Sequence, residues 1–194
     1  ANAKAMEMAG ITMETPDPDG GENVRDAKCT AVGVFRETAQ GLLSRAMYMA
    51  VDARDPSQME DERRKVIDLA VQECLENGIT AFHDAGTGFD TIDLYKELAD
   101  QGRLGIRMYA MLNAGNESLE KRIGDYRIDE YGDHHLVVRS IKRLIDGALG
   151  AHGAWLLEPY TDLPSSVGLN TMPVAELEET ARIAIENDFQ LCVH

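Results

Sequence analysis

Between residues 62 and 193 short apolar runs alternate strictly with stretches of helical periodicity, and no other feature narrows the fold as far. From Glu62 to Asn77 the apolar residues Ile67, Ala70, Val71, Cys74 and Leu75 recur at helical spacing, and Asn77-Gly78 supplies a left-handed stop. The run Ile79 to Phe82 then reads as a buried strand. Asp90 can cap a helix carrying Ile92, Tyr95, Leu98 and Ala99, Gly102 ends it, and Ile106 to Leu112 forms the next strand. A third helical stretch near Glu117 to Tyr126 precedes a strand over Val137 to Ile145 and the glycine-rich loop DGALGAHGA. The last helix, Val174 to Glu186, starts near Pro173 and leads to a strand over Phe189 to Val193. This alternation predicts right-handed βαβ units, so the four strands should run parallel and neighbour one another in order.

The pattern alone leaves barrel and open sheet both standing. No Gly-x-Gly-x-x-Gly follows a strand and no Gly-x-x-x-x-Gly-Lys-Ser/Thr occurs, so the phosphate-cradling signatures of open sheets are missing and the balance moves to a barrel. Residues 1–60 lack the alternation; the turn-rich PDPDGG is followed by VRDAKCTAVGVFRETA, a short hairpin near 24–36 leading into a helix, which decorates the domain formed by 61–194. A complete (β/α)₈ barrel takes about 250 residues. The 194 residues here, opening with a non-barrel segment, are expected to be an internal fragment holding part of an α/β (β/α)₈ TIM barrel.

With 44% hydrophobic and 27% charged residues the chain has the composition of a globular protein able to bury one core. Its net charge of −15, with no run of lysine or arginine to follow a phosphate backbone, argues against a nucleic-acid partner and is read as a solvated surface. Cys29, Cys74 and Cys192 are odd in number and widely spaced, so neither a disulfide framework nor a thiolate zinc site is indicated, and reduced, mostly buried thiols are expected. No stretch approaches the roughly 18 apolar residues of a membrane span, and ANAKAMEMAGIT lacks the regions of a secretory signal. A cytoplasmic location is the default, with a leader ahead of Ala1 left open.

In a parallel barrel chemistry sits where strands end, which singles out His83-Asp84, Asn113, Lys142 with Asp146, and His194. Lys142 lies among Val138, Ile141, Leu144 and Ile145, where an unpaired ammonium is costly to bury. It either snorkels to solvent or is used chemically, as a Schiff-base amine or as a lysine carbamylated by CO₂ into an anionic metal ligand. His194 shares a strand face with Gln190 and Cys192 by period-two alternation and closes an apolar run. His134 and His135, in YGDHH ahead of a strand, read as structural.

The segments NGITAFHDAG, YKELADQGRLGIRMYAML, IKRLIDGALGAHGAWLLEPYTD and FQLCVH resemble the amidohydrolase-3 branch of the amidohydrolase superfamily, which includes YtcJ-like proteins and N-substituted formamide deformylase. ANAKAMEMAGIT, TPDPDGGENVRD and GVFRETA look like the segment that follows the first barrel strand there, so the resemblance spans the chain and makes 61–194 strands two to five. It implies a metal-dependent hydrolase in which metal-bound water attacks a C–N amide-type bond of an N-formyl or N-acyl amine. It further implies a divalent metal, zinc by expectation, as one or two ions in the full-length protein. Matched residue by residue, Lys142 falls on the family lysine expected to be carbamylated and His194 on the fifth-strand histidine, both resembling metal ligands; in the same reading, but without such a match, His83, Asp146, His152 and Glu37 are expected to shape the substrate pocket. Partners would be a small amide substrate and, compatibly, further copies of the chain.

The departures from the family pattern are specific. No His-x-His occurs and the chain ends at His194, so the ligands expected from the first, sixth and eighth strands are absent, as is the eighth-strand aspartate expected as general base. Arg143 stands where an apolar residue is usual and His152 where arginine or another polar residue is common. Two ligands do not make the roughly three that an open zinc site needs, so the fragment alone is expected to be catalytically silent. Two rivals remain: an aldolase-like barrel with Lys142 as Schiff-base lysine, which borohydride trapping would reveal, and an inactive truncated scaffold, which would bind no metal tightly.

Overall fold

The computed structural model describes residues 1–51 and 55–194. The chain forms two compact units, Ala1–Asp55 with Leu144–Pro173, and Pro56–Arg143 with Val174–His194. The division therefore differs from a single cut after residue 60. The stretch after Arg143 bonds its backbone to itself, as in Thr171 N–H to the Ile145 carbonyl (2.9 Å) and Leu156 N–H to the Val167 carbonyl (2.8 Å), and it lies against the first segment where Gly147 and Gly153 meet Glu37.

The first unit holds α1 (Ala3–Met8), β1 (Gly21–Arg25), β2 (Ala31–Glu37) and α2 (Gln40–Val51). Asn2 caps α1 by accepting the Ala5 N–H at 2.9 Å. β1 and β2 pair antiparallel, Gly21 opposite Glu37 and Arg25 opposite Ala31, which is the expected hairpin extended slightly at both ends. Asp26 shapes its turn: the carboxylate accepts the N–H groups of Lys28 (2.8 Å) and Thr30 (2.9 Å). Cys29 sits in that turn with φ of 62° and is exposed, while Cys74 and Cys192 are half-buried, so the expectation of mostly buried thiols fails at Cys29.

The second unit holds α3 (Pro56–Glu76), β3 (Ala81–Thr87), α4 (Phe89–Asp100), β4 (Arg107–Leu112), α5 (Asn116–Arg122), β5 (Ile128–Tyr131), β6 (Leu136–Arg143), α6 (Val174–Glu186) and β7 (Gln190–Val193). β3, β4, β6 and β7 neighbour one another in that order and every pairing among them is parallel. The stops are those the sequence marks: Gly78 takes φ of 73° and Ile79 N–H closes back on the Cys74 carbonyl at 2.8 Å. Gly102 repeats the device with φ of 66° after α4, and Asp188, at φ of 56°, stands in for glycine after α6.

Three local expectations are corrected. Ile79 and Thr80 are consumed in leaving α3, so β3 begins at Ala81 and runs to Thr87, which places His83 and Asp84 inside the strand instead of after it. α4 starts at Phe89 with Gly88 at its cap, so Asp90 lies in the first turn, where its charge favours the helix dipole without capping. β5 was not anticipated: it pairs antiparallel with the first half of β6, Ile128 opposite Val138, through a turn in which Gly132, Asp133 and His134 all have positive φ. β7 takes the second half of β6, from Ser140 to Arg143, so β5 and β7 succeed each other along one edge of that strand. His135 closes the turn through Nδ1 and the Gly132 carbonyl (3.0 Å), and His134 pairs with Glu130.

One sheet face carries the core. Ala110, Leu112, Leu136, Val138 and Ile141 are fully buried together with Ile92 and Leu98 of α4, Leu119 of α5 and Ile183 of α6. At a transfer value of about 25 cal/mol per Å², each such aliphatic side chain contributes roughly 1.5–3 kcal/mol. The alternate positions Tyr109, Met111, Val137 and Lys142 point to the other face and are only half-buried.

Three tyrosines tie this unit to its carboxylates: Tyr95 donates to Asp84 (2.8 Å), Tyr126 to Asp93 (2.6 Å) and Tyr131 to Asp100 (2.9 Å). Burial foremost at Tyr95 and Tyr126, and the bond to Asp100 at Tyr131, raise all three phenol pKa values. Folding therefore holds these protons more tightly than the unfolded chain does. The contribution is complete below the unfolded pKa of about 10 and is lost as pH rises through the folded values. Urea midpoints are expected to fall steeply above about pH 10, and Tyr95→Phe should flatten that fall; an unchanged alkaline slope in the variant would refute this source.

Candidate functional site

A register step in β6 decides which side chains reach the face opposite the core. Ala110 pairs with Val138, but Met111 pairs with Ser140, so Arg139 is an extra residue in β6. Before the step Leu136 and Val138 face the core; after it Ile141 and Arg143 do, and Lys142 turns to the other face. Simple alternation from Val138 would have put Lys142 into the core and Arg143 outside it.

At the C-terminal edge of the sheet Lys142 meets residues from the two preceding strands. A Cβ placed on Gly86 would lie 3.7 Å from Lys142 Cγ and 3.5 Å from Asn113 Nδ2, so these three positions adjoin across β3, β4 and β6. Asn113 is fixed there by its N–H to the Thr87 carbonyl at 2.8 Å. On the other side Lys142 is opposite Cys192 of β7, and His194 continues the ladder by donating its N–H to the Arg143 carbonyl at 2.9 Å. His194 is thus one strand across and two residues along from Lys142, a backbone separation of about 8 Å from standard strand spacings. Lys142 has no hydrogen bond or ion pair among the described residues.

The next residue is treated oppositely. Arg143 is 4% exposed, and its guanidinium donates to Thr180 Oγ1 (3.0 Å) and Asn116 Oδ1 (2.7 Å), pinning the end of β6 to α5 and α6. Burial pulls its pKa down and the nearby Glu176 charge opposes this. An arginine in an otherwise apolar position is accommodated by neutral polar partners, not by a carboxylate within bonding distance.

His83 shares the Lys142 face but not its neighbourhood. It stacks on Tyr109, ring centroids 4.9 Å apart at 23°, and is exposed. Tyr109 is four residues before Asn113, so His83 lies about 13 Å down the sheet from the edge where Lys142 and Asn113 adjoin. The stacking partner Tyr109 and the opposing Cys192 were not read as site residues, although period-two alternation from Asn113 and from His194 passes through them.

The remaining candidates, Glu37, Asp146 and His152, belong to the first unit. Asp146 Oδ2 accepts the Trp155 N–H at 3.0 Å and so braces the glycine-rich loop. His152, at φ of 58°, bonds through Nε2 to Asp162 (2.9 Å) and packs edge-on against Tyr160, centroids 4.8 Å apart. That bond holds the Asp162 carboxyl below its ordinary range. Glu37 ends β2 and its carboxylate lies against Gly147 and Gly153.

Among the described residues no three His, Cys, Asp or Glu side chains gather to hold a metal ion. Lys142 and His194, even taken together, are two donors, fewer than the roughly three a metal with an open position requires. The residues described here do not by themselves fit a metal centre. No helix among them is long and apolar enough to cross a membrane.

The sequence matches the Amidohydrolase family over residues 1–194. It is 29% identical to YtcJ of Bacillus subtilis (strain 168), over all of this chain and 35% of that protein. It is 26% identical to the N-substituted formamide deformylase of Arthrobacter pascens, over 63% of this chain and 24% of that one. A crystal structure of an uncharacterized metal-dependent hydrolase from Pyrococcus furiosus superposes with a TM-score of 0.63 at 25% identity, over the whole of this chain and 37% of its own. A second, from Pyrococcus horikoshii OT3, shares the fold with a TM-score of 0.65 at 22% identity, over 36% of its length. The chain thus spans about a third of the length of these relatives.

Proposed function

The chain belongs to the amidohydrolase family, and from that membership we propose that it is part of a metal-dependent (β/α)₈ hydrolase that cleaves the C–N bond of an N-formyl or N-acyl amine. Water is consumed, the C–N bond breaks, and a carboxylic acid and an amine leave. Lys142 and His194 are two of the metal ligands, zinc being the expected metal, and the rest of the donor set and the general base come from outside these 194 residues. Lys142 acts after its neutral amine has added to CO₂, forming an N–C bond and releasing a proton, which turns a cation into an oxygen donor. His83 and, separately, Glu37, Asp146 and His152 remain candidates for substrate contact on their sequence positions alone.

The observation that carries the reading is the turn of Lys142 out of the core. The extra residue Arg139 brings it to the face and edge where Asn113, Gly86 and the His194-bearing strand converge. A lysine with no partner there is available for modification and ligation. Family membership does not favour the Schiff-base reading.

The test is hydrolysis of N-formylbenzylamine by the protein that carries this chain, with formate release measured before and after chelation. Activity lost on chelation and restored by Zn²⁺ is expected. Full turnover by metal-stripped protein would overturn the metal-dependent reading, and no turnover of any N-formyl or N-acyl amine would overturn the substrate class.

A further inference from the structure

We propose that Glu37 is an ammonium-binding residue: its carboxylate, held in a cradle of two glycines within the first unit, receives the protonated amine of a ligand. For the choice of an amine this rests on the hydrolase reading, since cleavage of an N-acyl amine releases one. The site itself rests on geometry.

Glu37 has φ of 45°, the left-handed region that non-glycine residues seldom enter. Such backbone outliers persist where the surroundings over-determine them, and they concentrate at ligand sites. The surroundings here are Gly147 and Gly153. An ideal Cβ on either would fall on the Glu37 carboxylate, far inside the 3.0 Å that real Cβ atoms keep, so only glycine at both positions leaves the carboxylate its place.

The loop is closed on itself. Gly147 N–H donates to the Gly153 carbonyl (3.0 Å), Gly153 N–H to the Ala148 carbonyl (3.0 Å), and Leu169 N–H to the Gly153 carbonyl (3.2 Å). Both cradle N–H groups are therefore spent, and the glycines offer the carboxylate only their Cα–H faces. Among the described residues Glu37 makes no side-chain hydrogen bond or ion pair.

The Glu37 oxygens are not sealed from solvent, so the side chain holds an unpaired negative charge in a fixed place where a ligand entering from water can meet it. Packing alone would be served as well by a neutral side chain. A carboxylate that belongs to no group of three His, Cys, Asp or Glu side chains among the described residues suits an N–H donor better than a metal ion. A primary ammonium, with three N–H groups and one positive charge, supplies both the missing donor and the missing charge.

The experiment is isothermal titration of the protein that carries this chain with n-butylammonium at pH 7, against n-butanol as the uncharged analogue. Binding of n-butylammonium at least tenfold tighter than n-butanol is expected, with the preference lost in Glu37→Gln, which keeps the shape and removes the charge. Gly147→Ala should lose it too, by displacing the carboxylate. Equal affinity for the two ligands, or an undiminished preference in folded Glu37→Gln, overturns the proposal; if that variant does not fold, the wild-type comparison decides. Because no turnover is measured, an intact charge preference without hydrolysis of any N-formyl amine would sink the hydrolase reading and leave this site standing. Hydrolysis with no such preference would do the reverse.

Discussion

Replacing Lys142 by alanine in the protein that carries this chain is expected to lower kcat/KM for N-formyl and N-acyl amines at least about a hundredfold, the scale of losing a metal-site contact. The same change should leave stability nearly untouched. Lys142 is half-buried on the face away from the core and has no hydrogen bond or ion pair among the described residues, so alanine there removes no interaction on which folding depends. Metal content by elemental analysis, read beside kcat/KM and the urea midpoint, separates the explanations. Lost metal and lost activity at constant midpoint fit a ligand. Full activity in Lys142→Ala would remove the lysine from the chemistry while leaving family membership in place. His194→Ala should behave in the same way.

The second large effect is on folding and comes from the neighbouring residue. Arg143 keeps its charge inside the second unit through Asn116 and Thr180, and Thr180 Oγ1 also donates to Asn116 Oδ1 at 2.7 Å. Asn116→Ala strips the guanidinium of an acceptor and removes one of the two side-chain donors to the Glu176 carbonyl, Asn116 Nδ2 at 2.9 Å, leaving Thr180 Oγ1 at 3.0 Å. A hydrogen bond to a charged group is worth about 1.5–3 kcal/mol, so a loss of roughly 3 kcal/mol in urea denaturation is expected. Arg143→Met removes the charge itself, fills similar volume, and leaves Asn116 and Thr180 bonded to each other. It should be within about 1 kcal/mol of the parent or more stable, because replacing a buried charge is cheaper than orphaning it. A greater loss in Arg143→Met than in Asn116→Ala would show that the arginine's contacts, not its burial cost, dominate.

Elements whose ends are marked by local chemistry were legible in the sequence. The 174–186 helix, the stops at Gly78 and Gly102, and a hairpin near 24–36 follow from periodicity, left-handed glycine and turn-rich composition, all of which act within a few residues. β5 was not legible because its pairing with β6 depends on three consecutive positive-φ residues, of which only Gly132 announces itself. The start of β3 was misplaced because an apolar run does not reveal that Ile79 is still occupied in closing the preceding helix.

The candidate site divides along the same line. Which residues could carry chemistry was determined by the sequence: a lysine in an apolar run, a histidine closing another, and a glycine-rich loop after the first of these. β7 is regular and opposes β6 without a step, so period-two alternation holds along Gln190 and Cys192. The same rule applied to β6 would have buried Lys142 beside Val138. Only the pairing with β4 decided otherwise, because the extra residue at Arg139 exists as a mismatch between two strands and has no signature in either strand alone. One residue of slip exchanges faces for everything after it, so the lysine came out to the open face and Arg143 went into the core, where α5 and α6 had polar groups to meet it.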